Sequence, residues 1–119
     1  MVSPGGHVLI IEDEMIIALE VEELLSDLGF TTFDVADSPD QAVAAAVARR
    51  PDLVTADYRI IGGTGLDAVA RIVRAIGQVA VIYVTGNPDL VLKAGLAPVV
   101  DKPIAPRALA EACRQVSAA

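Results

Sequence analysis

Short apolar runs, each closed by a polar side chain and separated from the next by a helical stripe, restrict the fold of this chain most. Val8-Leu9-Ile10-Ile11 ends in Glu12-Asp13-Glu14. Leu53-Val54-Thr55-Ala56 ends in Asp57, Val79 to Val84 ends in Thr85, and Ala97 to Val100 leads into Asp101-Lys102-Pro103. Unbroken runs of this length suit strands covered on both faces. Thr31 to Ala36 reads as a further strand. The intervening segments carry helical periodicity. Ile17, Val21, Leu24, Leu25 and Leu28 form one stripe, with Glu20, Glu22, Glu23 and Asp27 off it and Gly29 as the stop. Ser38-Pro39-Asp40-Gln41 combines an N-cap, a first-turn proline and a capping-box glutamine ahead of an alanine-rich helix. Leu66, Val69, Ala70, Val73 and Ile76 mark a helix from Gly65 that Gly77 ends. Leu109, Ala112, Cys113 and Val116 mark a last one that starts near Pro106.

Strands that alternate with helices imply a parallel sheet, right-handed crossovers and helices on both faces. The expected fold class is α/β: a flavodoxin-like three-layer sandwich with a five-stranded parallel sheet in the order 2-1-3-4-5 and five helices. The fourth helix, roughly Asp89 to Leu96, is expected to be short or irregular. With 119 residues, residues 1–119 make one domain with one core and no repeats.

In such a sheet, ligands bind at the carboxyl ends of the strands. Glu12, Asp13, Asp57, Thr85 and Lys102 all fall on that rim, and the order 2-1-3 sets Glu12 and Asp13 beside Asp57. Crowded carboxylates repel, and some take protons unless a cation sits among them. Mg²⁺ fits, because it takes a few carboxylate oxygens and keeps water and substrate oxygens. Asp57 reads as a phosphoryl acceptor, with Lys102 and the Thr85 hydroxyl to offset the incoming charge. Each residue alone has a plainer explanation: a helix N-cap, a solvated acidic edge, a surface lysine, a strand-end threonine. Their joint placement carries the reading. Glu14 is left to the first turn of helix 1, where negative charge is favoured.

The totals exclude other functions. The net charge of -7 disfavours nucleic acid, which needs clustered Lys and Arg; Lys93 and Lys102 are the only lysines. No apolar run is long enough to cross a bilayer, and residues 1–6 lack a signal core, so a cytoplasmic location is expected. The lone Cys113 allows neither an internal disulfide nor a thiol metal cluster. His7 has no neighbour in sequence that suggests catalysis. Gly62-Gly63-Thr64-Gly65 is neither a Walker loop nor a dinucleotide fingerprint, and reads as a turn.

Ile10-Ile11-Glu12-Asp13-Glu14, Asp57 with Gly65 eight residues on, Val84-Thr85-Gly86 and Lys102-Pro103 together resemble the receiver domain of two-component response regulators, over nearly the whole chain. The resemblance implies that Asp57 takes a phosphoryl group from a sensor histidine kinase. It implies that Asp13, Asp57 and the backbone carbonyl of Arg59 ligate Mg²⁺, with Glu12 acting through water. Lys102 would pair with the phosphoryl group, Thr85 would swing towards it, and the Lys102–Pro103 bond would be cis. Slow self-hydrolysis is expected, but no turnover of an external substrate, so the protein is not expected to be an enzyme. An unknown downstream protein would read the phosphorylated form, since the chain has no room for an output domain after Ala119.

The chain departs from the family pattern in four places. Glu12 stands where aspartate is more usual. Ile61 stands where many receivers have proline. Val99, three before Lys102, stands where the switch aromatic sits, and Tyr83 is the nearest aromatic by sequence. The segment from Thr85 to Lys102 is also short. These features look like single-domain and general-stress-response receivers. Two other readings compete: a pseudo-receiver that binds a partner without phosphorylation, and a metal-dependent phosphatase with an aspartyl nucleophile. The intact set of site residues counts against the first. The second would require an acid where Arg59 stands.

Overall fold

The computed structural model describes residues 5–89 and 97–118. In chain order the elements are β1 (His7–Ile11), α1 (Met15–Asp27), β2 (Thr32–Ala36), α2 (Pro39–Ala48), β3 (Leu53–Ala56), β4 (Arg59–Ile60), β5 (Gly63–Thr64), α3 (Gly65–Ile76), β6 (Ala80–Thr85), β7 (Val99–Asp101) and α4 (Pro106–Ala118). The expected short or irregular helix before β7 falls almost wholly outside the described residues. The five-stranded sheet runs β2-β1-β3-β6-β7 and is parallel throughout. Counting only its own strands, that is the expected order 2-1-3-4-5, and the fold is the flavodoxin-like α/β sandwich.

Alternation along each strand splits the core in two. Val8, Ile10, Leu53, Ile82, Val84 and Val100 pack against Ala18, Val21 and Leu25 of α1 and Leu109 and Ala112 of α4. Leu9, Ile11, Val54, Ala56 and Tyr83 face Ala42 and Ala46 of α2 and Ala68 and Ile72 of α3. Fully burying one such Val, Leu or Ile contributes about 1.5–3 kcal/mol. The two layers therefore clamp β1 and β3, whose ends carry the candidate site.

Local signals account for the helix starts. Ser38 Oγ accepts from the Gln41 N–H at 3.3 Å, while Gln41 Oε1 accepts from the Asp37 N–H at 3.1 Å. The glutamine thus reaches one residue beyond the cap itself. Thr64 caps α3 by accepting from the Asp67 N–H at 3.1 Å. Gly29 and Gly77 adopt φ of 106° and 87° after their helices, a region that favours glycine.

Other expectations needed correction. Leu28 is 38% exposed, because α1 turns its Ala18-Val21-Leu25 line to the sheet. In α3 the deepest residues are Ala68 and Ile72, and Ala70 faces outward. The glycine loop is not all turn: β4 and β5 pair antiparallel, Arg59 with Thr64 and Ile60 with Gly63. Gly62 makes this hairpin possible at φ 78°. His7 has partners after all. Its ring nitrogens lie 2.9 Å from Thr32 Oγ1 and 2.9 Å from Asp34 Oδ2, and its N–H donates to Asp52 Oδ2 at 2.7 Å. The ring contacts tie β1 to edge strand β2, and the N–H bond ties it to the residue before β3, at the end of the sheet away from Asp57.

Thr55, on β3, is buried, and its hydroxyl has no hydrogen-bond partner. A buried unpaired hydroxyl costs about 1–3 kcal/mol. Thr55→Val should therefore stabilise the domain by about 1 kcal/mol and raise the midpoint of thermal unfolding by roughly 4 °C. A calorimetric scan that finds the midpoint unchanged or lowered would show that the hydroxyl is satisfied.

Candidate functional site at the carboxyl edge of the sheet

The register builds the site. Ile11 lies opposite Ala36 on one side and Ala56 on the other, so the next residues, Glu12 and Asp57, leave the sheet side by side. Their backbones continue the ladder: the Glu12 N–H donates to Ala36 O at 2.9 Å, and the Asp57 N–H donates to Ile11 O at 3.0 Å. On β6, the strand next to β3, Thr85 is paired with Asp101 of β7, and the Lys102 N–H donates to Thr85 O at 3.1 Å. The Lys102–Pro103 bond is cis.

The Lys102 ammonium closes the set. Nζ donates to Glu12 Oε1 at 2.8 Å and to Asp57 Oδ2 at 2.9 Å, with Glu14 Oε1 at 3.8 Å. The other oxygens are held from the backbone. Asp57 Oδ1 accepts from the Tyr58 N–H at 2.7 Å, and Glu12 Oε2 accepts from the Glu14 N–H at 3.3 Å. Glu12 and Asp57 are buried, while Asp13 and Glu14 are exposed. One ligand atom from each of Glu12, Asp13, Glu14 and Asp57 falls within 4.8 Å of the others. Glu14, assigned from sequence to the helix turn, therefore belongs to the cluster. The unbroken run Glu12-Asp13-Glu14 was the available signal.

Thr85 is fully buried, and its Oγ1 accepts from the Asn87 N–H at 3.0 Å. Arg59 opens β4, two residues past Asp57. Its exposed guanidinium lies 5.9 Å from the centre of the Tyr58 ring. Gly65, the first residue of α3, donates its N–H to Tyr58 O at 2.7 Å. A Cβ there would lie 1.8 Å from Asp57 O. The helix thus abuts the acceptor's own backbone.

Burial pushes the Glu12 carboxyl up to about 7, the charge of Asp57 adds to the rise, and the Lys102 hydrogen bond opposes it. Burial works against the Lys102 ammonium, but its hydrogen bonds to Glu12 and Asp57 outweigh that, and its pKa is raised. One ammonium thus faces several carboxylates, and Glu12 holds its proton to a higher pH than an ordinary carboxyl does. An all-oxygen donor set with too little positive charge suits a hard divalent cation.

The sequence profile of the response regulator receiver domain matches residues 8–114. The chain belongs to the response regulator receiver family. Within that family it is 39% identical over 85 residues to the phyllosphere-induced regulator PhyR of Methylorubrum extorquens, covering 70% of this chain and 32% of that protein. It is 33% identical over 89 residues to the transcriptional regulatory protein PdtaR of Mycobacterium tuberculosis, covering 74% of this chain and 43% of the other. The chain therefore spans less than half the length of these relatives. Among solved structures, the receiver domain of Erythrobacter litoralis PhyR superposes with a TM-score of 0.85 at 31% identity, covering 96% of this chain and 91% of that one. The receiver domain of the sensor histidine kinase PA1611 from Pseudomonas aeruginosa, which has a magnesium ion coordinated in its active site cleft, gives 0.80 at 25% identity, covering 95% and 98%. The anti-anti-sigma factor PhyR of Bartonella quintana gives 0.83 at 28% identity, covering 97% and 48%.

Proposed function

We propose that this receiver takes a phosphoryl group from a phosphohistidine of a sensor histidine kinase onto Asp57, and that the phosphorylated form binds a downstream protein. The observation that carries the reading is the Lys102 ammonium, 2.8 Å from Glu12 and 2.9 Å from Asp57 on a shared rim. A carboxylate oxygen of Asp57 attacks phosphorus, the P–N bond to the donor imidazole breaks, and the imidazole keeps the electron pair. The product is an acyl phosphate. Lys102 offsets its new charge, and the Thr85 hydroxyl keeps its proton to donate to a phosphoryl oxygen. Asp13, Asp57, the Arg59 carbonyl and Glu12, directly or through water, would hold Mg²⁺, which when bound neutralises charge on the transferring group. Exposed Met15, Ile16 and Leu19 (61%, 83% and 56% exposed) offer the donor an apolar surface where α1 leaves the site.

The chemistry is the receiver's own charging and slow discharge, so the protein is not an enzyme acting on an external substrate. It acts in the cytoplasm, and its likeness to PhyR favours a downstream protein of a stress-response pathway. Among the described residues no helix is long and apolar enough to cross a membrane. The test is phosphotransfer from a histidine kinase charged with radioactive phosphate. Label should move to the domain and be released by hydroxylamine. Label that never moves, or that resists hydroxylamine, would contradict an acyl phosphate on Asp57.

The proton on Glu12 gives a pH dependence. Its folded pKa is raised, from 4.5 to about 7. The stability it contributes is therefore complete below pH 4.5 and is lost as pH rises through 7. Mg²⁺ competes with that proton, so its affinity should strengthen about tenfold between pH 6 and pH 8. Calorimetric titration would show this for the native domain and a flat profile for Glu12→Gln. Equal slopes for the two would refute it.

A further inference from the structure

Glu14 is the N-cap residue of α1, yet its side chain accepts no N–H of the helix. Aspartate or serine there would reach the first turn; the longer glutamate turns to the rim instead. One of its oxygens lies within 4.8 Å of ligand atoms from Glu12, Asp13 and Asp57, and Oε1 is 3.8 Å from Lys102 Nζ. The four acids are not equivalent. Glu12 and Asp57 are buried, and all four of their oxygens already accept a hydrogen bond, from Lys102 Nζ or from the N–H groups of Glu14 and Tyr58. Asp13 and Glu14 are exposed, and among the described residues no hydrogen bond reaches either carboxylate. The Glu14 side chain is 66% exposed, against 4% for Glu12.

We propose that Glu14 is a further residue of the metal site, whose carboxylate accepts hydrogen bonds from waters on Mg²⁺ and so strengthens binding of the ion. The proposal rests on the metal site of the proposed function and adds to its set of Glu12, Asp13, Asp57 and the Arg59 carbonyl. Mg²⁺ keeps several of its waters when it binds a protein, and those waters need acceptors. The carboxylate oxygens not already engaged at this rim belong to Asp13 and Glu14. The extra methylene of Glu12 takes it to Lys102, 2.8 Å away, which leaves it little capacity for the waters of the ion. Groups that hold a metal through an intermediate atom change its affinity about 10–100-fold when they are removed.

The test is calorimetric titration of the domain with Mg²⁺ alone, at one pH and one ionic strength. Glu14→Gln should bind the ion about tenfold more weakly than the native domain. Glu23→Gln removes the same charge from the exposed face of α1, about 14 Å further along the helix. Salt screens a charge at that range, so its affinity should change by less than about twofold. Glu14→Asp separates the metal from the helix. Aspartate is a good N-cap, so the midpoint of thermal unfolding should hold or rise while Mg²⁺ affinity still falls. Native affinity in either Glu14 variant, or an equal loss in Glu23→Gln, would overturn the role of Glu14 and leave the metal site standing. A native domain that binds no Mg²⁺ would overturn the metal site and this role with it.

Discussion

Gly65→Ala should destabilise the domain by about 3 kcal/mol or more and disable the site in whatever remains folded. The added methyl would lie 1.8 Å from Asp57 O, 3.0 Å from Asp57 C and 3.3 Å from Ala56 Cβ. None of these is the free end of a flexible side chain, so the backbone of β3 or the start of α3 must move. Either movement weakens the Gly65 N–H bond to Tyr58 O, which is 2.7 Å long. It also displaces the peptide that orients the Asp57 carboxylate. A shift on the order of 1 Å at a reacting group costs about 10²-fold in rate. Gly86→Ala is the control, since a Cβ there meets nothing within 4 Å and its φ is not positive. Urea unfolding of both variants measures the difference. A Gly65→Ala domain as stable as the Gly86→Ala domain would mean that α3 does not press on Asp57.

Lys102→Met should have the second largest effect. It removes the only cation within 4 Å of the Glu12 and Asp57 carboxylates among the described residues and leaves two buried acids facing each other. Breaking a buried pair by removing one partner costs about 3–5 kcal/mol. Proton uptake by one carboxyl relieves part of that, so the loss should be smaller at pH 5 than at pH 8. Mg²⁺ should restore more stability to this variant than to the native domain, because it supplies the missing charge. Phosphoryl uptake should still fall by about 10²-fold or more, since the charge that offsets the phosphoryl oxygens is gone. Denaturation with and without Mg²⁺ at the two pH values reads the first part, and intact mass against time reads the second. Native uptake kinetics in Lys102→Met would remove Lys102 from the chemistry.

Much of this was legible in the chain because local signals and the fold agree. The runs at Val8–Ile11 and Leu53–Ala56 are apolar on both faces because helices cover both sides of the sheet. Ser38-Pro39-Asp40-Gln41 begins a helix because a serine oxygen and a glutamine oxygen take up N–H groups that the helix leaves free. The rim followed from strand order alone. What sequence could not supply was phase and long-range partnership. The helical stripe of α3 was centred on Val69 and Val73, but the crossing of the helix over β3 turns Ala68 and Ile72 inward. His7 looked unpartnered because Thr32 and Asp34 lie 25 and 27 residues away and meet it only through the β1–β2 register. The direct Glu12–Lys102 contact, 90 residues apart, needed the whole sheet. The longer reach of glutamate at position 12 was visible, but its partner was not. The burial of Tyr83 depended on the phase of β6, which an apolar run such as Val79 to Val84 does not reveal.

The most direct test of the central claim is intact mass of the native domain after incubation with acetyl phosphate and Mg²⁺, beside Asp57→Ala and a sample stripped of metal. The expected result is a gain of one phosphoryl mass in the native domain, absent in both controls. A gain that survives Asp57→Ala would place the phosphoryl group elsewhere and contradict the assignment of Asp57 as acceptor.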